Sequence, residues 1–355
     1  MRRIFPYISV FVLSLAFAAC TRIDNPHGRA IKLYFASDNL QAEIKAEAEE
    51  FGSAPTEQTP FKADVWFSLT KGKFENNPSA NEELSIPAKV PVTFTSTQAT
   101  DAILSGKNLL YPLDPDKAQQ DPVYCVGLYP GESAGDSDWS YELTDDGSKT
   151  KFTHDINGSQ DLMFADQIEG SYNVNFAPQE YRHLLTWVKV NASATSVEEA
   201  KVWGKVQELS LGSRNRSVEV IVSCDSDTEI AFSGDTLAIA ATDVDDKNPE
   251  GLNVIGQTVA SLFCSGPYTR VNSNNPSDSD PLGYWITVKT DKIIDAKSVF
   301  VPIAWDSGIQ GDPKGKLFII NLYFNEVFVI SGVCTLKYWE NTSEDLYLEE
   351  VIQTN

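Results

Sequence analysis

The chain of 355 residues has little of what enzyme and metal chemistry usually needs. It contains 3 histidines, 2 methionines and 5 cysteines. His27, His154 and His183 do not fall at ligand spacing with the cysteines, and no two cysteines form a CxxC pair, so no zinc site is expected. There is no GxSxG elbow, and no pattern that would bring Ser159 together with His154 and Asp155 as a triad requires. Adjacent acids such as Asp145 and Asp146 do not form a glycosidase dyad by any sequence test. Asp243 to Asn248 (DVDDKN) has the outline of a calcium loop, but Lys247 stands where an oxygen ligand is needed and no glycine follows. A solvated acidic turn is expected there. The sequence therefore points away from catalysis and implies no cofactor.

Positive charge is also scarce. Lys and Arg number 28 against 50 Asp and Glu, which gives a net charge of −22 and a pI near 4.5. Such a balance repels nucleic acid and anionic membrane surfaces, so nucleic acid is excluded as a partner. No arginine occurs between Arg29 and Arg182. The N-terminal apolar run from Ile4 to Leu15 is shorter than the roughly 20 residues of a membrane span. It follows Arg2 and Arg3 and leads into Phe17-Ala18-Ala19-Cys20, the layout of a signal peptide with small residues before its cleavage site. The cysteine in that position resembles a bacterial lipobox, with Phe17 where leucine is usual. Residues 1–19 then read as a lipoprotein signal peptide, Cys20 as the lipidated mature N-terminus held at the outer membrane, and residues 20–29 as a tether. An ordinary secretory signal with an incidental cysteine is the alternative. Cys125, Cys224, Cys264 and Cys334 each sit in or beside an apolar run and read as small buried thiols, with one long-range disulfide as the other possibility in an oxidising compartment.

What is abundant is strand pattern. Ala30 to Phe35 (AIKLYF) places Ile31, Leu33 and Phe35 on one face. Asp64 to Thr70, Val90 to Thr95, Cys125 to Tyr129 and Phe152 to Ile156 read as further strands, and Pro91 favours an edge position for the second of these. Asp38 to Glu50 has helical spacing at Leu40, Ile44 and Ala48, and Glu132 to Ser148 reads as an exposed acidic loop around Trp139 and Tyr141. In the second half, Val218 to Cys224 alternates cleanly, followed by Tyr284 to Val288 and Ser298 to Ala304. Lys316 to Phe324 and Val327 to Trp339 read as a hairpin across Asn325-Glu326. Ser196-Val197-Glu198-Glu199 fits a capping box and predicts a single helical turn before a strand at Lys205 to Leu211. Short strands at intervals of about ten residues are the mark of an all-β sandwich, and the length favours two domains.

The middle of the chain is its most distinctive part. Asp161-Leu162-Met163-Phe164-Ala165 precedes a strand read at Tyr172 to Phe176 and then Tyr181 to Val190 (YRHLLTWVKV). Tyr129-Pro130 lies upstream, Val202-Trp203-Gly204-Lys205-Val206 downstream, and the hairpin closing on Trp339 ends the series. This order resembles the fimbrillin family of Bacteroides-type fimbriae over residues 125–340, while upstream of Tyr124 only the strand pattern is compatible. The resemblance implies two tandem transthyretin-like (Greek-key) β-sandwiches, residues 30–160 and 161–355, in a non-enzymatic subunit of a cell-surface fimbria. It implies that Leu162, Met163, Phe164, Leu184, Leu185 and Trp187 are packing residues and that His183 is structural.

In that family a first strand is removed by an arginine-specific protease and replaced by a strand of the next subunit, so other fimbrial subunits are the implied partners. Here the removable strand would carry Ile31, Leu33 and Phe35, with Arg22, Arg29 or Lys45 as candidate cleavage positions. Cutting at Arg22 or Arg29 would leave that strand in place, which favours a tip, anchor or accessory role over a shaft role. Asp345 to Asn355, with Leu346 and Leu348 on one face, is either a donor strand or an ordinary chain end. A surface-anchored carbohydrate- or protein-binding lipoprotein that does not polymerise is the competing reading, and clustered exposed Trp139 and Trp285 would favour it.

Overall fold

The computed structural model describes residues 29–37, 55–75, 88–104, 106–132, 139–144, 147–225, 227–235, 237–241, 244–247, 249–269, 282–303, 314–325 and 330–338. It is all-β apart from two short helices among these residues. The first half supplies β1 (Lys32–Leu33), β2 (Phe35–Ser37), β3 (Phe61–Ser68), β4 (Ala88–Phe94), β5 (Thr100–Asp101), β6 (Ile103–Leu104), β7 (Lys107–Asn108), β8 (Val123–Tyr129), β9 (Ser140–Leu143) and β10 (Lys149–Asp155). Then come β11 (Met163–Gly170), β12 (Gln179–His183), β13 (Thr186–Ala194), α1 (Val197–Trp203), β14 (Val206–Ser213), β15 (Ser217–Ser223), β16 (Glu229–Ser233), β17 (Leu237–Ala240) and α2 (Val244–Lys247). The chain continues through β18 (Gln257–Cys264), β19 (Tyr268–Thr269), β20 (Leu282–Thr290), β21 (Lys297–Pro302), β22 (Lys316–Phe324) and β23 (Ile330–Tyr338).

A six-stranded sheet in the order β2-β12-β11-β8-β3-β4 forms the centre of the first half. Its strand β3 is buried at six consecutive residues, Ala63 to Ser68. Because alternate side chains point to opposite faces, such a run means that both faces are covered. Ala63, Val65 and Phe67 enter one core with Ile31, Leu33 and Phe35, while Trp66 enters a second, larger core with Phe152. The indole of Trp66 meets the Phe152 ring edge-on at 5.2 Å. Asp64, on the same strand, is 1% exposed; its carboxylate accepts a hydrogen bond from the Glu132 amide at 2.9 Å and lies 3.6 Å from Lys89. A buried carboxylate is tolerable only with such partners. Pro91 does sit on an edge strand, since β4 ends the sheet.

The two halves share a sheet. β9 and β10 pair with a hairpin, β15–β16, that leaves the second half to reach them, in the order β16-β15-β10-β9. The β10–β15 register runs unbroken from Lys149↔Ser223 to Asp155↔Ser217. Val218, Val220 and Val222 are buried on one face of β15, as their alternation predicts. The second half proper is two sheets, β18-β13-β22-β23 and β17-β14-β20-β19, with β21 paired to β20. β11 and β12 lie beyond residue 161 yet belong to the central sheet of the first half, so the expected division at 160/161 does not coincide with a break between sheets.

Other local expectations change as well. Ser140 to Leu143 is strand rather than exposed loop, because it pairs with β10. Tyr172 to Phe176 is irregular, and the strand that follows β11 is β12. The hairpin does not turn at Asn325-Glu326 alone, since Phe324 pairs with Ile330; residues 326–329 lie outside the described residues. α1 is longer than one turn and is capped as read, the Ser196 hydroxyl accepting from the Glu199 amide at 3.1 Å. DVDDKN contains the short helix α2. The predicted helix at 38–50 and all of 1–28 and 341–355 lie outside the described residues.

The shared sheet should make the halves unfold together. Scanning calorimetry is expected to show one transition, and Phe152→Ala to lower stability by about 3–5 kcal/mol without splitting it. Two separated transitions would contradict the coupling.

Candidate functional site

The segment from Arg29 to Ser37 crosses the open side of the first core as a strand with two partners. On one side the Ile31 amide donates to the Leu109 carbonyl at 2.8 Å, the Ala102 amide to the Ile31 carbonyl at 3.1 Å and the Tyr111 amide to the Arg29 carbonyl at 2.9 Å. β1 continues this pairing antiparallel to β5, Leu33 opposite Thr100. Further along, β2 switches to the edge of the central sheet and pairs in parallel with β12, Phe35 opposite Gln179. The Gln179 amide donates to the Tyr34 carbonyl at 2.8 Å at the changeover.

The alternation read in the sequence is fully used. Ile31 and Leu33 are 0% exposed and Phe35 4%, while Lys32 between them is exposed. Phe35 enters an aromatic cluster, its ring centroid 4.7 Å from Phe61, 5.7 Å from Phe94 and 5.6 Å from Tyr181, with the last pair stacked. Phe61 in turn stacks on Tyr129 at 4.4 Å. Side chains of this kind each gain about 1.5–3 kcal/mol from burial. Three of them amount to a large share of the roughly 5–15 kcal/mol that holds a domain together. Losing the strand without replacement would therefore unmake the first core.

Burial governs the ionisation of the tyrosines around this groove. The Tyr181 hydroxyl is pushed well above its usual value by burial, with the nearby Cys125 thiol adding to it. Tyr111 is raised by burial as well, and its hydroxyl donates to Asn175 Oδ1 at 2.8 Å. Tyr129 is raised to about 12 by burial, with the Asp161 carboxylate contributing.

Of the sequence-predicted site residues, Ile31, Leu33 and Phe35 come together in this groove. Arg29 lies at its entrance, exposed, with Nη1 donating to the Tyr172 carbonyl at 3.0 Å. Cys20, Arg22, Lys45, Leu346 and Leu348 lie outside the described residues. The central stretch packs as expected: Leu162, Phe164, Leu184, Leu185 and Trp187 are in the larger core, and Met163 is in the groove core. Gly158 has φ +85, and a Cβ there would collide with the Ile239 side chain, so glycine is required where the stretch begins. His183 meets Asp161 at 2.6 Å with both side chains buried, a structural pair at the junction of β11 and β12. Cys125, Cys224, Cys264 and Cys334 are free thiols, of which Cys224 is only half-buried.

The groove wall that sequence reading missed is residues 100–111, where Ala102, Leu109 and Tyr111 are buried. Its strands are two residues each, too short for a periodic signal, although Leu109 and Tyr111 share one phase. Trp139 and Trp285 do not form a joint surface. Trp139 is half-buried, its ring 5.0 Å from His154, whereas Trp285 is exposed on β20 in another sheet. Among the described residues, no helix is long and apolar enough to cross a membrane.

Phe35→Ala is expected to cost about 3–5 kcal/mol, read from chemical denaturation, because a whole ring leaves the cluster. The contribution of these tyrosines to stability should be constant below pH 10 and fall as pH rises from 10 towards 12. The unfolded tyrosines ionise in that range, whereas the buried ones resist, so the raised folded values favour unfolding only above the ordinary phenol value. Phenolate absorbance against pH would check this; ionisation of these tyrosines near pH 10 without unfolding would contradict their burial.

No family model matches the chain, and no curated protein matches it. Among solved structures it is similar to a candidate cell adhesion protein from Bacteroides uniformis, at 12% identity over 90% of this chain and 100% of that one, with a TM-score of 0.49. A candidate cell adhesion protein from Bacteroides ovatus is similar at 14% identity over 88% and 98% of the two chains, with a TM-score of 0.47. A fimbrial protein from Bacteroides vulgatus is similar at 14% identity over 87% and 99%, with a TM-score of 0.37. Two of these three structures are described as candidate cell adhesion proteins and one as a fimbrial protein.

Proposed function

We propose that the chain is a non-enzymatic structural subunit of a cell-surface fimbria that supports adhesion and assembles by strand exchange, in a tip or accessory position. The observation that carries this reading is the N-terminal strand. It inserts three alternate apolar side chains into the groove core, ends the six-stranded sheet through β2, and pairs with β5 and β12 over ladders of only two and three residues. A strand from another chain with the same alternation could replace it, exchanging main-chain hydrogen bonds and side chains one for one. In this reading Cys20 carries a lipid that holds the subunit at the outer membrane, and the two halves are tandem transthyretin-like sandwiches.

The arginine gap supports the accessory position. A cut at Arg29 leaves Ile31, Leu33 and Phe35 in place, and the next arginine, Arg182, is already inside β12. Lys45 is the candidate beyond the strand whose cleavage would release it. A cluster of Trp139 and Trp285 on one face would have favoured the non-polymerising alternative; Trp139 instead lies against His154 and Trp285 on β20, so that alternative stays the second reading.

Two measurements test the proposal. Mass spectrometry of surface-recovered material should find the chain as a minor component of high-mass polymers. Recovery solely as free monomer with an intact acylated Cys20 would overturn the fimbrial reading, and an abundant form beginning beyond Phe35 would make it a shaft subunit. In vitro, protein lacking residues 1–37 should gain thermal stability when given a peptide of residues 29–37, and a peptide of residues 345–355 should do the same if the chain end is a donor. Indifference to both peptides would mean that the groove does not exchange strands.

A further inference from the structure

The outer face of the β18-β13-β22-β23 sheet carries a feature that neither packing nor strand exchange uses. Asn191 on β13 lies in register with Thr258 on β18 and with Asn321 on β22. The Thr258 hydroxyl donates to Asn191 Oδ1 at 2.8 Å, and Asn191 Nδ2 donates to Asn321 Oδ1 at 2.9 Å. Three neighbouring strands are thus spanned by one polar ladder. It forms the floor of a cavity of about 330 Å3, at the small end of the roughly 300–1,000 Å3 of ligand sites. Tyr323, 39% exposed, and Ile255, 92% exposed, belong to its lining.

Four things set this cleft apart from an ordinary solvated sheet face. Asparagine is among the residues least suited to strands, yet two stand side by side here, on the two inner strands of the sheet. The β13–β18 register shifts between Val190 and Asn191, the kind of irregularity that re-aims side chains beside functional sites. Gly256, at φ +87, carries the chain past the ladder in a conformation other residues avoid. None of the residues lining the cleft is charged, in a chain where 22% of residues are. A metal ion would have no carboxylate there, and an anion no cation to offset the overall charge of −22.

We propose that this cleft binds a neutral sugar residue of a glycan. Amide and hydroxyl groups supply both donors and acceptors for sugar hydroxyls, the ladder holds those groups in fixed orientation, and the Tyr323 ring offers an apolar face for the C–H side of a pyranose. Asn321 uses its oxygen in the ladder, which leaves its amide N–H donors to face a ligand. The inference stands whether or not the chain polymerises, and it would give the subunit a receptor class of its own.

Saturation-transfer NMR on the full chain from Cys20 onward tests it. The probes are methyl glycosides of glucose, galactose, mannose, fucose, N-acetylglucosamine and N-acetylgalactosamine, with glucuronic acid and N-acetylneuraminic acid as charged controls, in buffer containing EDTA. At least one neutral sugar should show transfer, and Asn321→Ala and Tyr323→Ala should each weaken its binding tenfold or more. Trp285→Ala, on the other sheet, should leave binding unchanged. The half-exposed position of Tyr323 makes its variant safe for folding, which the melting temperature verifies. Silence from every neutral sugar, a response confined to the charged ones, or binding that survives both cleft substitutions would overturn the proposal.

Discussion

Strand β3 must be covered on both faces, and the layout of the molecule follows from that requirement. Six successive buried residues cannot be satisfied by a single sandwich partner. One face is closed by the N-terminal strand and the 100–111 segment, the other by the sheet that β9 and β10 build with a hairpin borrowed from the second half. The first half is therefore complete only when the chain's beginning and its middle are both in place.

This dependence gives the two closures different characters. The borrowed hairpin is tied by an unbroken seven-residue register and by valines that merge with the larger core. The N-terminal strand has short ladders on each side and gains its hold mainly from three buried side chains. The polar ladder of β13, β18 and β22 lies on a different sheet from the one that the N-terminal strand joins.

Much of the fold was legible because alternation reports a face directly. Ile31, Leu33 and Phe35, and Val218, Val220 and Val222, are buried as their phase predicts, and Pro91 lies on an edge strand where its missing donor does no harm. Alternation fails where strands shrink to two residues, which hid Ala102, Leu109 and Tyr111, and where a loop composition masks a paired strand, as at Ser140 to Leu143. The polar ladder was invisible for a different reason. Thr258, Asn191 and Asn321 are separated by 67 and 130 residues and meet only through register.

The sequence by itself determined that this is an acidic, strand-rich chain in which Ala30 to Phe35 has one apolar face. Those properties are local, set by residue type and by the two-residue period of a strand. Tertiary structure alone decided which strands share a sheet. It moved β11 and β12 into the first half, lent β15 and β16 to it, and placed His183 against Asp161. Pairing partners are chosen by which faces need cover after the chain has folded back on itself, and that choice has no signature in any single segment.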